Sequence, residues 1–586
     1  MDMIVENAEF VTMAPGSASG SMPGAESMLV RDGRIAAIGP AAAVRAAAEP
    51  GAAVVGMDGA TVIPGLIDAH CHVMNIGYLA AGADCSQPAA PDIAVIQARM
   101  RAAADRTPAG SWVTGSGYVE YKLAERRHPT RAELDAAVPD RPAVIYHTSL
   151  HACVLNSAAL REAGFADGQP DPPDGALVRD GEGKLTGVLF EGPMFRVFGN
   201  KLRHDLAHMD AAARARVVRR AGQRLATLGI TAACDADLRC QTFESYAEAD
   251  DAGVLDQRIY GLTVHDEVDQ LVKTGLRGRR SGRLAAEAVK IWADGGMSSR
   301  TAAIHGTYPV PPFGSGILYF EPAELTAMVG DFAARGFQVC IHAQGDRAIE
   351  IVLDAYARTL AGTPGNPRRH RIEHGGAMYP ALTARAAQLR IPVVSQPGFL
   401  SGLGDGFADA FGDQADQLYA FRSWQRAGVT VAGSSDAPVI TPDPLTGIRD
   451  AIVRRTAAGR VIGPDERISA RDALAIYTAG GAFAMHRETE IGSLEPGKLA
   501  DFTVLDRNPL RVDPEEITGI QVLATFSRLT AGEPMPDREQ LIRPGSRTGR
   551  AWQAVGAAMV RLIAWLDRVD TPRVSPAEPD KQHYAV

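Results

Sequence analysis

The stretch TVIPGLIDAHCHV (residues 61–73) runs from a β-prone apolar segment straight into a His-x-His pair, His70 and His72. Alternation along an extended chain puts both imidazoles on one side. At the carboxyl end of a parallel strand they would point into the mouth of an α/β fold, where two convergent imidazoles suit a borderline cation such as zinc. Cys71, between them, should face away and reads as a small buried residue. A lone His-x-His is weak evidence, so further donors are required at comparable positions.

Working outward, apolar β-branched runs recur at residues 61–67, 229–234, 258–264, 288–292, 338–342, 370–374, 391–395 and 429–433, separated by amphipathic helical stretches. That pattern predicts parallel strands with crossover helices, and eight is the closure number of a TIM-like (β/α)8 barrel. The missing donors fall at or near the ends of these runs: Lys290 in AVKIWADG, His342 in CIHAQGD, His374 in RIEHGG and Asp436 in AGSSDAP. Each alone reads equally well as a hydrogen-bonded core residue or a helix cap. All six together point to a metal centre.

Residues 75–225 are too long for one crossover and predict an insertion over the barrel mouth, with one further strand at PAVIYH (residues 142–147). Residues 1–60 and 490–540 share a style of short strands and tight turns, such as the Asp32-Gly33 hairpin signal. Neither end has enough strands to bury a core alone, so both are expected to form one small β-sandwich-like domain beside a barrel at 61–489. Residues 541–586 predict a C-terminal helical extension whose apolar face (Trp552, Val555, Met559, Leu562, Ile563, Leu566) would meet either its own core or a second subunit in a homodimer.

The chain has 586 residues, 46% hydrophobic and 22% charged, which excludes global disorder and fibrous architectures. Its net charge of -9 argues against nucleic-acid or anionic-membrane partners and leaves a small molecule. Six scattered cysteines without a CxxC pair, no signal peptide and no long apolar run predict reduced thiols and a cytoplasmic protein. No Walker A motif or strand-associated GxGxxG calls for an organic cofactor.

The segments GSGYVEYKLAERRHPTRAELDAAVPDRPAVIY, HACVLNSAALREAG, LTGVLFEGP, LGITAACDA, VKIWADGGMSSRTA, IHAQGDRAIE, RIEHGG, SSDAPV and GSLEPGKLADFTVLD together resemble the amidohydrolase superfamily, in particular the YtcJ-like branch of amidohydrolase family 3, over about residues 1–535. The resemblance implies that His70 and His72 hold a buried metal and His342 and His374 a more exposed one. Asp436 would bind the first metal and take a proton from the attacking water. Lys290 matches the strand-four lysine that is often carboxylated to bridge two metals, and Glu191 in LTGVLFEGP is the competing bridge. His151, Asn156 and Arg300 match positions near substrate, against plainer readings as a helix-capping segment and a loop arginine; Trp112 and Tyr118 line the pocket or merely pack the insertion. The implied cofactor is one or two divalent cations, Zn2+ foremost. The implied reaction is hydrolysis of an amide or related non-peptide C–N bond of a small molecule. The rival readings are an ester or lactone hydrolase or a deaminase on the same centre and, from another class, a non-catalytic barrel used for assembly.

Overall fold

The computed structural model describes residues 2–16, 25–308 and 314–527. Eight parallel strands form its centre: β1 (Leu66–Cys71), β2 (Ile230–Leu238), β3 (Arg258–Val264), β4 (Leu284–Trp292), β5 (Gln338–Ala343), β6 (Arg371–His374), β7 (Val393–Ser395) and β8 (Val431–Gly433). They are buried almost end to end, as strands covered on both faces must be. The ring closes at its carboxyl rim, where Asp436 N–H donates to His70 O at 2.8 Å and His72 N–H donates to Ala437 O at 2.8 Å. Ser435 N–H adds a bond to Asp68 Oδ1 at 3.0 Å. The expected (β/α)8 barrel is therefore present, and helices such as Asp346–Thr359 pack outside it.

The run at 61–67 is two strands rather than one. Thr61–Pro64 joins a four-stranded sheet with Glu9–Phe10, Phe502–Leu505 and Val522–Phe526, while β1 begins only at Leu66. Gly65 makes the crossover between layers: its N–H donates to Asp501 O at 3.0 Å, and a Cβ there would lie 2.1 Å from Thr231 Oγ1. Gly65→Ala is accordingly expected to cost about 1–3 kcal/mol through overpacking, read as a lower urea midpoint at unchanged m-value. As a result His70 lies inside its strand, and His72 is the residue before the helix Val73–Leu79.

Both chain ends contribute to that four-stranded sheet. A second one is built from Asp2–Glu6, Ser27–Arg31, Arg34–Gly39 and Ala53–Gly56. Met3, Val5, Phe10, Val62, Phe502 and Phe526 are among the buried side chains that join the two sheets in one core. The predicted apolar face beyond residue 541 lies outside the described residues.

The insertion holds more than the one strand expected. A six-stranded sheet runs in the order Gly175–Arg179, Leu185–Glu191, Ala152–Leu155, Ala143–His147, Val113–Tyr118, Ala83–Asp84. Segments such as VTGSGY carry too much glycine and serine to signal a strand, and pairing with AVIYH forms them instead. Among the described residues no helix is long and apolar enough to cross a membrane.

Candidate metal centre

His70 sits near the end of β1, fully buried, with its Nδ1 paired to Glu373 Oε2 on β6. Glu373 is in turn fixed by Arg371, whose Nε donates to Oε1 at 2.5 Å. This carboxylate–histidine arrangement sets the ring's orientation and leaves Nε2 to face the cavity. There it lies 3.4 Å from Lys290 Nζ and 3.4 Å from Asp436 Oδ1. His374, at the end of β6, is oriented the same way by Gln396 Oε1, 2.8 Å from its Nδ1. Its ring centroid is 4.8 Å from that of His70. One donor atom each of His70, His374 and Asp436 falls within 4.8 Å of the others, a spacing that can hold one cation.

His72 places Nε2 3.1 Å from Asp436 Oδ1, and its buried Nδ1 has no hydrogen-bond partner among the described residues. Asp436 adopts φ +58°, a left-handed conformation that aspartate tolerates better than most residues, and the seam bonds hold it there.

His342, on β5, has its ring 4.5 Å from His374, but its Nε2 is turned to the loop after β4, 3.1 Å from Gly295 O. On that side stand His151, whose Nδ1 is 2.8 Å from Glu191 Oε2, and Tyr319, whose hydroxyl donates to the same oxygen. Glu191 is fully buried, and its Oε1 lacks a hydrogen-bond partner among the described residues. The two rival bridges thus belong to different neighbourhoods: Lys290 to His70 and Asp436, Glu191 to His151 and Tyr319.

The electrostatics follow from burial. Desolvation drives the His374 imidazole down to about 3 and His342 well below its ordinary value, leaving both neutral, the form that ligates. Burial also lowers the Lys290 ammonium, against the pull of Glu373 and Asp436. For Asp436 burial would raise the carboxyl, but His70, His72 and His374 hold it well below the carboxylate range. A buried carboxylate ringed by imidazoles, with His374 and His342 held neutral and buried orphan atoms on His72 and Glu191, fits a divalent cation by donor chemistry.

His70, His72, Lys290, His342, His374 and Asp436 line a cavity of about 470 Å³ that also has Phe195, Phe198, Trp292 and Phe320 in its walls, whereas Glu191 is not in its lining. Of the further candidates only His151 reaches it. Trp112 lies elsewhere on the insertion, its Nε1 donating to Glu162 Oε1 at 2.6 Å. Tyr118 is buried inside the insertion with its hydroxyl 2.9 Å from His128 Nδ1. Asn156 caps the helix Ser157–Glu162, accepting from Ala159 N–H at 2.8 Å, and Arg300 lines a separate cavity. Sequence reasoning missed Arg371, Glu373 and Gln396. The first two did leave a signal, because paired charges in a fully buried strand need partners inside the barrel.

The family model described as "Amidohydrolase family" matches residues 53–528. The N-substituted formamide deformylase of Arthrobacter pascens is 32% identical over 516 residues, covering 86% of this chain and 94% of the relative. The putative amidohydrolase YtcJ of Bacillus subtilis is 28% identical over 480 residues, 80% of this chain and 88% of that protein. Among solved structures, an uncharacterized metal-dependent hydrolase from Pyrococcus horikoshii superposes with a TM-score of 0.71 at 24% identity, covering 88% of this chain and 99% of that one.

Proposed function

Because the chain belongs to the amidohydrolase family and is a metal-dependent hydrolase of carbon–nitrogen bonds, we propose that it cleaves the amide of a small N-substituted carboxamide, with N-substituted formamides the first class to try. The observation that carries this reading is the His70–His374–Asp436 cluster at the floor of an aromatic-walled cavity. Phe195, Phe198 and Trp292 offer an apolar N-substituent the wall area it needs, while the polar floor receives the amide.

His70, His72 and Asp436 would hold one cation, with Zn2+ our assignment; His374, expected beside His342 at the second, joins this first group instead because its donor atom lies within 4.8 Å of those of His70 and Asp436. His342 with carboxylated Lys290, or with Glu191, would hold a second. A divalent cation bound here supplies Lewis acidity, which lowers the pKa of water from 15.7 to about 7 and polarises a carbonyl. Asp436 Oδ1 then accepts the proton of the attacking water and returns it to the departing nitrogen. Glu373 and Gln396 keep the two imidazoles from rotating during this exchange. We place the enzyme in the cytoplasm, a reading that its six unpaired cysteines favour.

Metal-loaded protein assayed against N-substituted formamides, N-acetyl amines, N-acyl amino acids, aromatic amines and lactones tests the proposal. Turnover highest on the first two classes is expected; preference for lactone opening or for ammonia release would replace it with the esterase or deaminase reading. For the bridge, Lys290→Ala is expected to drop metal stoichiometry toward one per chain, Lys290→Glu to recover part of it, and Glu191→Ala to do less. Elemental analysis of the three variants decides, and a larger loss in Glu191→Ala would exchange the two roles.

A further inference from the structure

Where the insertion sheet meets the metal cavity, a serine, a histidine and a glutamate stand in contact, and the metal chemistry uses none of them. His147 ends the strand Ala143–His147 and pairs with Tyr118 of the parallel neighbour. Glu120, two residues past Tyr118, therefore arrives beside the imidazole, its Oε2 2.9 Å from Nε2. On the other side of the ring, Nδ1 is 2.7 Å from Ser149 Oγ. His147 and Ser149 are both buried, yet Ser149 lines the metal cavity, as do Leu150 and His151.

The hydrogen bonds fix where the protons are. His147 Nδ1 accepts the backbone N–H of Ser149 at 3.1 Å, so it carries no hydrogen and the Ser149 hydroxyl must donate to it. The ring proton then sits on Nε2, beside the Glu120 carboxylate. Burial would raise that carboxyl, and it is His147 that holds it down at about 2. The two groups form an ion pair whose N–H is off the line of a hydrogen bond, a looseness common in catalytic pairs away from the transition state. Ser149 Oγ in turn accepts His151 N–H at 3.1 Å, which fixes its rotamer.

The backbone around the serine is held under strain. Leu150, the next residue, stands at φ +54°, a conformation that bulky side chains keep only where the surroundings enforce it. Thr148 supplies an anchor, its hydroxyl donating to Val439 O at 2.5 Å in the loop that carries Asp436. The turn is thereby pinned across the cavity with Ser149 facing inward.

We propose that Ser149 is a nucleophile, with His147 its base and Glu120 the positioning residue behind it, and that it gives the cavity a second activity, the metal-independent hydrolysis of small aryl esters. Ser149 Oγ attacks the carbonyl carbon; the Oγ–C bond forms as the C–O bond to the aryl group breaks, and the serine proton passes through His147 Nδ1 to the departing phenolate. Water then attacks the acyl-serine and gives a proton to His147, which returns it to Ser149 as the carboxylic acid leaves. Phe195 and Phe198 wall the same cavity and suit the aryl group. Neither the cation nor Asp436 takes part, so this activity stands or falls apart from the amide reading.

Stopped-flow kinetics with 4-nitrophenyl acetate on the metal-loaded full chain and on its Asp436→Asn variant tests the proposal. A burst of about one 4-nitrophenolate per chain is expected in both, with an acetyl group on Ser149 by peptide mass spectrometry. Ser149→Ala should lose burst and adduct, His147→Gln should slow the burst by about 10²-fold or more, and Glu120→Gln should slow it at least about tenfold. Thermal unfolding checks each variant. If His147→Gln fails to fold, Ser149→Cys decides: its new thiol should react with iodoacetamide at least about tenfold faster than the six native cysteines, five of them buried. Absence of both burst and adduct, a burst unchanged in Ser149→Ala or in folded His147→Gln, or a Ser149→Cys thiol no faster than the native ones would overturn the proposal.

Discussion

Asp436→Asn is expected to lower kcat by about 10²–10⁴-fold, the range a positioned acid–base group supplies. Asparagine keeps the shape and an oxygen at the ligand position but cannot take the proton of the water. The loss should therefore appear in kcat with metal still bound, whereas His70→Ala should lose metal and activity together. Parallel elemental analysis and steady-state kinetics separate the two. A fully metallated Asp436→Asn enzyme within tenfold of the native rate would remove the acid–base role.

The second large effect is on stability. Arg371 is fully buried; besides Glu373 it donates through Nη1 to Ala484 O at 2.9 Å and through Nη2 to Ala69 O at 3.2 Å. Burial would raise the Glu373 carboxyl, and it is Arg371 and His70 that hold it down at about 2. Arg371→Leu strands that carboxylate in the barrel and should cost about 3–5 kcal/mol, the usual penalty for breaking a buried pair from one side. The double variant Arg371→Leu/Glu373→Leu should regain part of this in urea unfolding. It should still bind metal about 10–100-fold more weakly, because His70 has lost its orienting carboxylate. Equal stability of single and double variants would contradict the account.

The barrel was legible because parallel strands buried on both faces announce themselves as short apolar runs, and Lys290, His342, His374 and Asp436 stand at or near the ends of such runs. Position within the element was less legible. Nothing in TVIPGLI marks Gly65 as the point where one run divides between two sheets, since the reason is Thr231, far away in sequence. The insertion sheet escaped notice for a related cause: its glycine-rich strands owe their conformation to neighbours. Asn156 followed its ordinary chemistry as a cap. Trp112 and Tyr118 show that aromatic character alone does not locate a pocket, whereas Phe195 and Phe198 line it because their helix, Gly192–His208, starts where Glu191 ends its strand. Sequence position favoured Lys290 over Glu191 as the bridge, and geometry adds that the two have separate surroundings.

The seam between β1 and β8 also sets a timetable. His70 and Asp436 are about 366 residues apart, so at about 5–20 residues per second a ribosome takes roughly 20–70 s to deliver the second after the first. Throughout that interval the outer edge of β1 has no β8 beside it, and the ligand group is incomplete. With the ligand set proposed above, metal capture would wait for the last act of ring closure, and a nascent chain released before Asp436 emerges would carry an open sheet edge and an incomplete ligand group rather than a slower enzyme.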